Sequence, residues 1–183
     1  MSPLLIIGIA AALLVVFIWG LYNGLITMKT QIDEAWSQID VQLKRRTDLI
    51  PNLVASVKGY AKHEKTVFEN VTKARTALMN AGSPEKMAKA NDQLSGALKS
   101  LFAVAESYPQ LKANENFLQL QQELGDTEDK VAYSRQFYNS TVMEYNVKVK
   151  VFPNVLLAGA FGFTEKPFFK TEGSERNAVK VDF

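Results

Sequence analysis

Between Ile32 and Leu78 the chain reads IDEAWSQIDVQLKRRTDLIPNLVASVKGYAKHEKTVFENVTKARTAL. Alternate steps of four and three from Ile32 land on Trp36, Ile39, Leu43, Arg46, Ile50, Leu53, Val57, Tyr60, Glu64, Val67, Val71, Ala74 and Leu78. Only Arg46 and Glu64 interrupt this apolar seam with charge. An apolar period of about 3.5 residues sustained this far predicts long α-helices with coiled-coil-like packing. Val54, Ala61 and Phe68 lie beside the seam and widen it, and a wider stripe calls for more than one neighbour. The fold class is therefore all-α, an antiparallel bundle of long helices. Pro51 falls inside the pattern, where it removes a backbone hydrogen bond and clashes with the preceding turn. Since the heptad phase continues across it, a kinked helix or two abutting helices are expected near Ile50.

Working outward, Asn80-Ala81-Gly82-Ser83-Pro84 ends the pattern with the chemistry of a tight helix–helix turn: Gly for a C-terminal cap, Ser for an N-cap and Pro for a first helical position. A shorter helix follows, with Met87, Leu94, Leu98, Leu101 and Ala105 on one stripe, and it ends before Ser107-Tyr108-Pro109. The last long helix carries Phe117, Leu120, Leu124, Val131, Tyr138, Val142, Tyr145, Val149 and Phe152, with a slip of phase near Arg135. Phe152-Pro153 closes it, because proline disfavours the helical conformation of the residue before it. The two outer helices are each expected to outrun the middle one, and the uncovered length argues for self-assembly into a homo-oligomer. Residues 27–153 thus form the long-helix bundle, and 154–183 read as an irregular segment and tail.

On the N-terminal side, no charged side chain occurs before Lys29, and an apolar run extends from Leu4 to Leu21. A bilayer core of roughly 30 Å needs about 20 such residues as a helix. Residues 4–26 are accordingly read as a single transmembrane anchor and its exit, after a three-residue N-terminus. Trp19 and Tyr22 sit where amphipathic rings favour the headgroup level. A cleaved signal peptide would need a basic n-region, and only Met1, Ser2 and Pro3 precede Leu4. Gly8 with Ala12, and Gly20 with Gly24, have the spacing that lets membrane helices approach, a spacing common in such helices generally. The positive-inside rule, applied to Lys29 and then Lys44, Arg45 and Arg46, favours a cytoplasmic bundle on the inner membrane of a bacterial cell.

Chemistry for catalysis is sparse. The chain has no cysteine and one histidine, His63, and Val67 stands where a zinc-protease helix would carry its second histidine. No phosphate-binding glycine loop is present, and no cofactor or metal is expected. An enzyme built on Asp40 and Asp48 would lack a second chemical group. A net charge of +2, with both signs interspersed, leaves no electrostatic footprint for nucleic acid. The informative charges are those on the seams. Arg46, Glu64 and Arg135 either form arginine–carboxylate contacts that fix helix register, with Arg135 reaching Asp40 or Asp48 and Glu64 reaching a cation opposite, or snorkel to the rim. The closing Val181-Asp182-Phe183 has the form of a strand-adding C-terminus, against which a frayed end is the plainer reading.

The block Ile39-Asp40-Val41-Gln42-Leu43-Lys44-Arg45-Arg46-Thr47-Asp48-Leu49-Ile50-Pro51-Asn52-Leu53-Val54, followed by Val57-Lys58-Gly59-Tyr60-Ala61 and His63-Glu64, closely resembles the signature of the bacterial LemA family. Tyr108-Pro109-Gln110-Leu111-Lys112-Ala113-Asn114-Glu115-Asn116-Phe117, Arg135-Gln136-Phe137-Tyr138-Asn139, Tyr145-Asn146 and Phe152-Pro153 resemble its second half. That resemblance implies a single-pass membrane protein with a long-helix bundle and no established enzymatic activity. It also implies relatives among magnetosome-membrane proteins of the MamQ kind, and a genomic neighbourhood shared with HtpX-type membrane zinc proteases. The expected function is a non-enzymatic, self-associating scaffold at the cell envelope. The alternative is an accessory subunit of such a protease. Asp40 to Val54, with Asp40, Arg45, Arg46 and Asp48, and Tyr108 to Phe117 become the expected interaction surfaces.

Overall fold

The computed structural model describes residues 2–170, so the C-terminal Val181-Asp182-Phe183 lies outside the described residues. Among these residues there are six α-helices and no strand: α1 (Pro3–Tyr60), α2 (Lys65–Met79), α3 (Pro84–Glu106), α4 (Pro109–Lys112), α5 (Glu115–Lys150) and α6 (Asn154–Phe161). The all-α class read from the heptads holds. Two compact units divide the chain, one formed by residues up to Ser37 with Phe137–Pro167, the other by Gln38–Gln136 with the residues from Phe168.

Helix α1 runs unbroken from the apolar segment into the heptad, 58 residues in all, or about 87 Å at 1.5 Å per residue. Pro51 lies inside it, so the predicted kink or break does not end the helix there. The reason is local. Proline at position 51 has no N–H to give to the carbonyl of Thr47, four residues earlier. That carbonyl accepts instead from Nε of Arg75 on α2, at 2.8 Å. The proline ring itself faces outward and is exposed. The helix ends nine residues later, at Tyr60, through a short turn over Ala61–Glu64.

At this turn the apolar stripe steps aside by one residue and then returns. Val57 and Ala61 are fully buried and Phe68 nearly so, whereas Tyr60 is exposed and Glu64 and Val67 are half-exposed. Ala61 and Phe68, read as widening the seam, carry it across the break, and the seam positions Val71, Ala74 and Leu78 are buried again beyond it. Glu64 stands at the N-cap position of α2, makes no side-chain cap and is no longer a seam charge. Ser83, by contrast, caps α3 as its sequence predicts, its hydroxyl accepting from the Lys86 N–H, with Pro84 in the first helical turn.

Within the second unit, α3 packs along α2, and its buried stripe is Met87, Asn91, Leu94, Leu98, Leu101 and Ala105. On α5, Phe117, Leu124, Val131, Tyr138 and Tyr145 are buried at intervals of seven, so the row holds its phase past Arg135. The slip lies in the companion row, where buried Thr127, Ser134 and Thr141, small and polar, give way one residue later to buried Val142 and Val149. The hydroxyls of Thr127 and Thr141 are satisfied by the helix carbonyls of Leu124 and Phe137.

The first unit contains the part of α1 up to Ser37, the end of α5 and α6. The chain leaves α5 through a cis peptide at Phe152-Pro153 and forms α6 where an irregular segment was expected. Gly162 ends that helix in the left-handed conformation at φ 73°, as a C-terminal cap requires, and the Phe163 N–H returns to the Ala158 carbonyl at 2.9 Å. The extended residues beyond are clipped to α5. The Asn146 amide donates to the Lys166 carbonyl and accepts its N–H at 2.9 and 2.8 Å, and the Tyr138 hydroxyl donates to the Pro167 carbonyl at 3.0 Å.

The proline–arginine exchange at Thr47 predicts a coupling between positions that do not touch by packing alone. Arg75→Ala strands a partly buried carbonyl and should cost about 1 to 3 kcal/mol. In a Pro51→Ala background the new amide at position 51 occupies that carbonyl, and the cost of Arg75→Ala should fall below about 1 kcal/mol. Thermal unfolding of the four-member mutant cycle measures this coupling; equal costs in both backgrounds would refute it.

Candidate functional site

Arg46 is 1 % exposed, the bulkiest of the fully buried side chains, and it sits at a seam position of α1. Heptad spacing turns the position inward, so the guanidinium cannot reach solvent as a snorkelling rim residue would. Its Nη1 donates to Oδ1 of buried Asn91 at 2.6 Å and its Nη2 to the Ser95 hydroxyl at 3.0 Å, both on α3. Glu128 on α5 lies 3.5 Å from Nη2, with its side chain 58 % exposed. Ser95 also donates to Glu128, at 3.4 Å. One arginine thus joins α1, α3 and α5 of this unit. Burial pushes its pKa below the usual arginine value, and the charges of Glu128 and Asp92 partly offset that push. The guanidinium stays charged at any physiological pH.

A cleft of about 380 Å³ opens beside this cluster, lined by Asp92, Lys99, Glu128 and Arg135 together with the Arg46, Asn91 and Ser95 group. Arg135 is half-buried there, while Asp40 and Asp48, its expected partners, are exposed and line a separate cleft of about 270 Å³ with Leu78, Met79 and Met87. The partners of the seam arginine on α1 are therefore an amide, a hydroxyl and a glutamate on α3 and α5. Arg45 is exposed, and so is His63, in the turn after α1. Among the described residues no three His, Asp or Glu side chains come together as a metal site.

The sequence did contain a signal for the missed partner. Asn91 falls on the stripe of α3 between Met87 and Leu94, at the one heptad step where no apolar residue stands. A polar residue there, like the arginine on α1, marked a seam position needing a complement.

A larger groove, about 910 Å³, runs along α2 beside the end of α1. Val54, Phe68 and Ala77 contribute apolar surface, and Lys58, Lys62, Lys65 and Lys73 line it as well. Glu69 is the one acidic side chain among its lining residues, and Lys65 pairs with it at 3.7 Å on the helix surface.

The N-terminal residues form a different kind of surface. Leu4 and Trp19 are 80 % and 66 % exposed, Ala12 is exposed, and Leu21 and Tyr22 are half-buried. An added Cβ at Gly8, Gly20 or Gly24 would meet nothing within 4 Å. Among the described residues the apolar segment is thus exposed up to Phe17 and partly covered at Ile18, Leu21 and Tyr22, before Leu25, which is fully buried.

These features define an all-helical protein whose N-terminal helix carries a segment long and apolar enough to cross a membrane. The family profile described as the LemA family matches residues 35–183, and the chain belongs to that family. It is similar to magnetosome protein MamQ 2 of Paramagnetospirillum magneticum, at 26 % identity over 81 % of this chain, of which it spans 64 % of the length. Magnetosome protein MamQ of Magnetospirillum gryphiswaldense is 26 % identical, with 90 % of this chain and 71 % of that protein covered. Protein LemA of Metamycoplasma hominis is 29 % identical over 89 % of this chain and 74 % of its own length.

The geometry at Arg46 assigns the stabilising role to the buried amide and hydroxyl contacts, since an ion pair with an exposed carboxylate contributes little. Arg46→Ala, which leaves a cavity and an unsatisfied Asn91, should destabilise by about 3 kcal/mol or more. Glu128→Gln should cost less than about 1 kcal/mol. Chemical denaturation of both variants tests the ordering, and a larger loss for Glu128→Gln would reverse it.

Proposed function

We propose that this protein is a non-enzymatic, membrane-anchored helical scaffold that self-associates and organises partner proteins at the bacterial cell envelope. The observation that carries this reading is the continuity of α1. One helix contains the uncovered apolar segment, the buried Arg46 cross-link and residues of the lysine-lined groove. Anchor, core and a partner-sized surface are thereby built on a single element. The polar groups at Arg46 hydrogen-bond one another across three helices, as a structural cluster does. The names of the MamQ relatives state a place, the magnetosome, and no reaction.

The heptad seams expected to be left uncovered are buried within the chain, from Ile32 to Val57 on α1 and from Phe117 to Tyr145 on α5. In this reading copies associate instead through exposed apolar side chains outside the seams, such as Val41, Tyr133, Met143 and Val147. Full-length protein in mild detergent or nanodiscs should have the mass of a homo-oligomer in light scattering. A monomer throughout the micromolar range would overturn the self-association. The lysine-lined groove also favours the second reading, an adaptor subunit of a membrane zinc protease, in which an acidic partner segment lies along α2.

The anchor is read as the single crossing of the inner membrane, with the helical units in the cytoplasm. The support is the basic excess after the span at Lys29, Lys44, Arg45 and Arg46, against no charged side chain before it. Protease added to intact spheroplasts should leave residues beyond Lys29 uncut and should cut them after lysis. Digestion in intact spheroplasts would place the units on the outer side.

A further inference from the structure

Helix α6 is apolar on both faces. Asn154 and Ala158 point inward and are buried, while Val155, Leu156 and Phe161 point outward, 46 %, 68 % and 50 % exposed. Phe152, at the turn that leads into it, is 78 % exposed. A helix that is apolar all round is buried in protein or in lipid, and a contiguous apolar patch on a protein surface marks an interaction site. What covers this patch follows from its place in the unit. Tyr22 ends the apolar run of α1, and its ring makes edge contacts with Phe161 and Phe163 at centroid distances of 5.1 and 5.6 Å. Three residues further along α1, Leu25 is fully buried. From exposed Trp19 to fully buried Leu25 the helix thus passes from an uncovered apolar surface to a covered one within about 9 Å of rise. Aromatic rings at the end of a span favour the headgroup level, and α6 is in contact with that ring.

We propose that α6 and the turn before it, from Phe152 to Phe161, seat in the boundary between headgroups and acyl chains of the bilayer that α1 crosses. The occupant of the patch is lipid, and the interaction is apolar insertion beside the span. Gly162 suits this placement, since its left-handed conformation turns Phe163 back into the unit, 8 % exposed, and leaves Phe161 at the outer edge. Lys150, at the end of α5, and Glu165, beyond the Gly162 turn, pair at 2.8 Å, so exposed charge stands in the chain on either side of the apolar segment. The inference rests on the reading of α1 as a membrane span, and the test separates the two.

The chain has no cysteine, so single ones can be introduced without background. Full-length Leu156→Cys and Phe152→Cys, labelled with an environment-sensitive fluorophore, are reconstituted in phosphatidylcholine vesicles with and without lipids carrying a nitroxide on the acyl chain. Leu13→Cys in the apolar run reports on the span, and Leu118→Cys on α5 serves as the solvent reference. Lipid nitroxides should quench the labels at positions 13, 152 and 156 at least twofold, and aqueous iodide should quench position 118 alone. If position 13 is quenched by lipid while 152 and 156 respond to iodide, the span stands and the interfacial seat is wrong. Shielding of 152 and 156 from both quenchers also overturns it, in favour of cover by a second copy. An absence of lipid quenching at position 13 overturns the span itself, and the seat with it.

Discussion

One turn of α1 holds the second unit together through hydrogen bonds made at two adjacent residues. The Arg46 side chain reaches Asn91 and Ser95 on α3 and Glu128 on α5, while the Thr47 carbonyl accepts from Arg75 on α2. The apolar stripes around this turn are repetitive, and leucines and isoleucines seven residues apart would pack nearly as well after a shift by one heptad. A buried polar group breaks that degeneracy, because a shifted register strands the guanidinium among side chains that cannot accept from it. Net stability need not be the gain, since desolvating an arginine costs free energy that its pairs partly return. The cluster singles out one alignment. The Thr47 carbonyl acts in the same way on α2, and it is available only because Pro51 lacks an amide proton.

Much of this was legible in the sequence. The buried positions Ile32, Ile39, Leu43, Ile50, Leu53 and Val57 are those the heptad selects, because on a helix a period of 3.5 residues and a buried stripe are the same fact. The turn after Tyr60 escaped notice because the pattern offers two adjacent apolar rows there, and the chain crosses a break of four residues on Ala61 and Phe68 of the second row before returning to Val71, Ala74 and Leu78 of the first. The consequence of Pro51 escaped for a different reason. Proline predicts a lost hydrogen bond, but whether the freed carbonyl bends the helix or finds a donor depends on Arg75, 24 residues further along the chain. The partners of Arg46 were partly legible, since Asn91 occupies an apolar step of α3. Glu128 and Ser95 lie off the apolar rows and carried no such mark.

The conspicuous run Asp-Val-Gln-Leu-Lys-Arg-Arg-Thr-Asp, residues 40–48, contains three residues fixed by the interior, Leu43, Arg46 and Thr47, two of them polar, among several that face water. Packing accounts for those three. It leaves Asp40, Lys44, Arg45 and Asp48 as surface residues whose identities the fold does not require.

The exposed faces of the two units differ in kind. The second unit has lysines along a groove of about 910 Å³, with an apolar contribution from Val54, Phe68 and Ala77, a surface suited to an acidic amphipathic segment in water. The first unit has Val155, Leu156 and Phe161 outward, with no charged residue anywhere in α6. Left in water, those side chains would favour indiscriminate association, so a helix of this composition is tolerable where the solvent is already partly lipid. On the proposed seat of α6, its tie to Tyr22 at the end of the apolar run would supply that solvent. The difference in surface chemistry would then follow from the proposal, and α1, which contributes to both units, is the element that needs an apolar beginning and a heptad end.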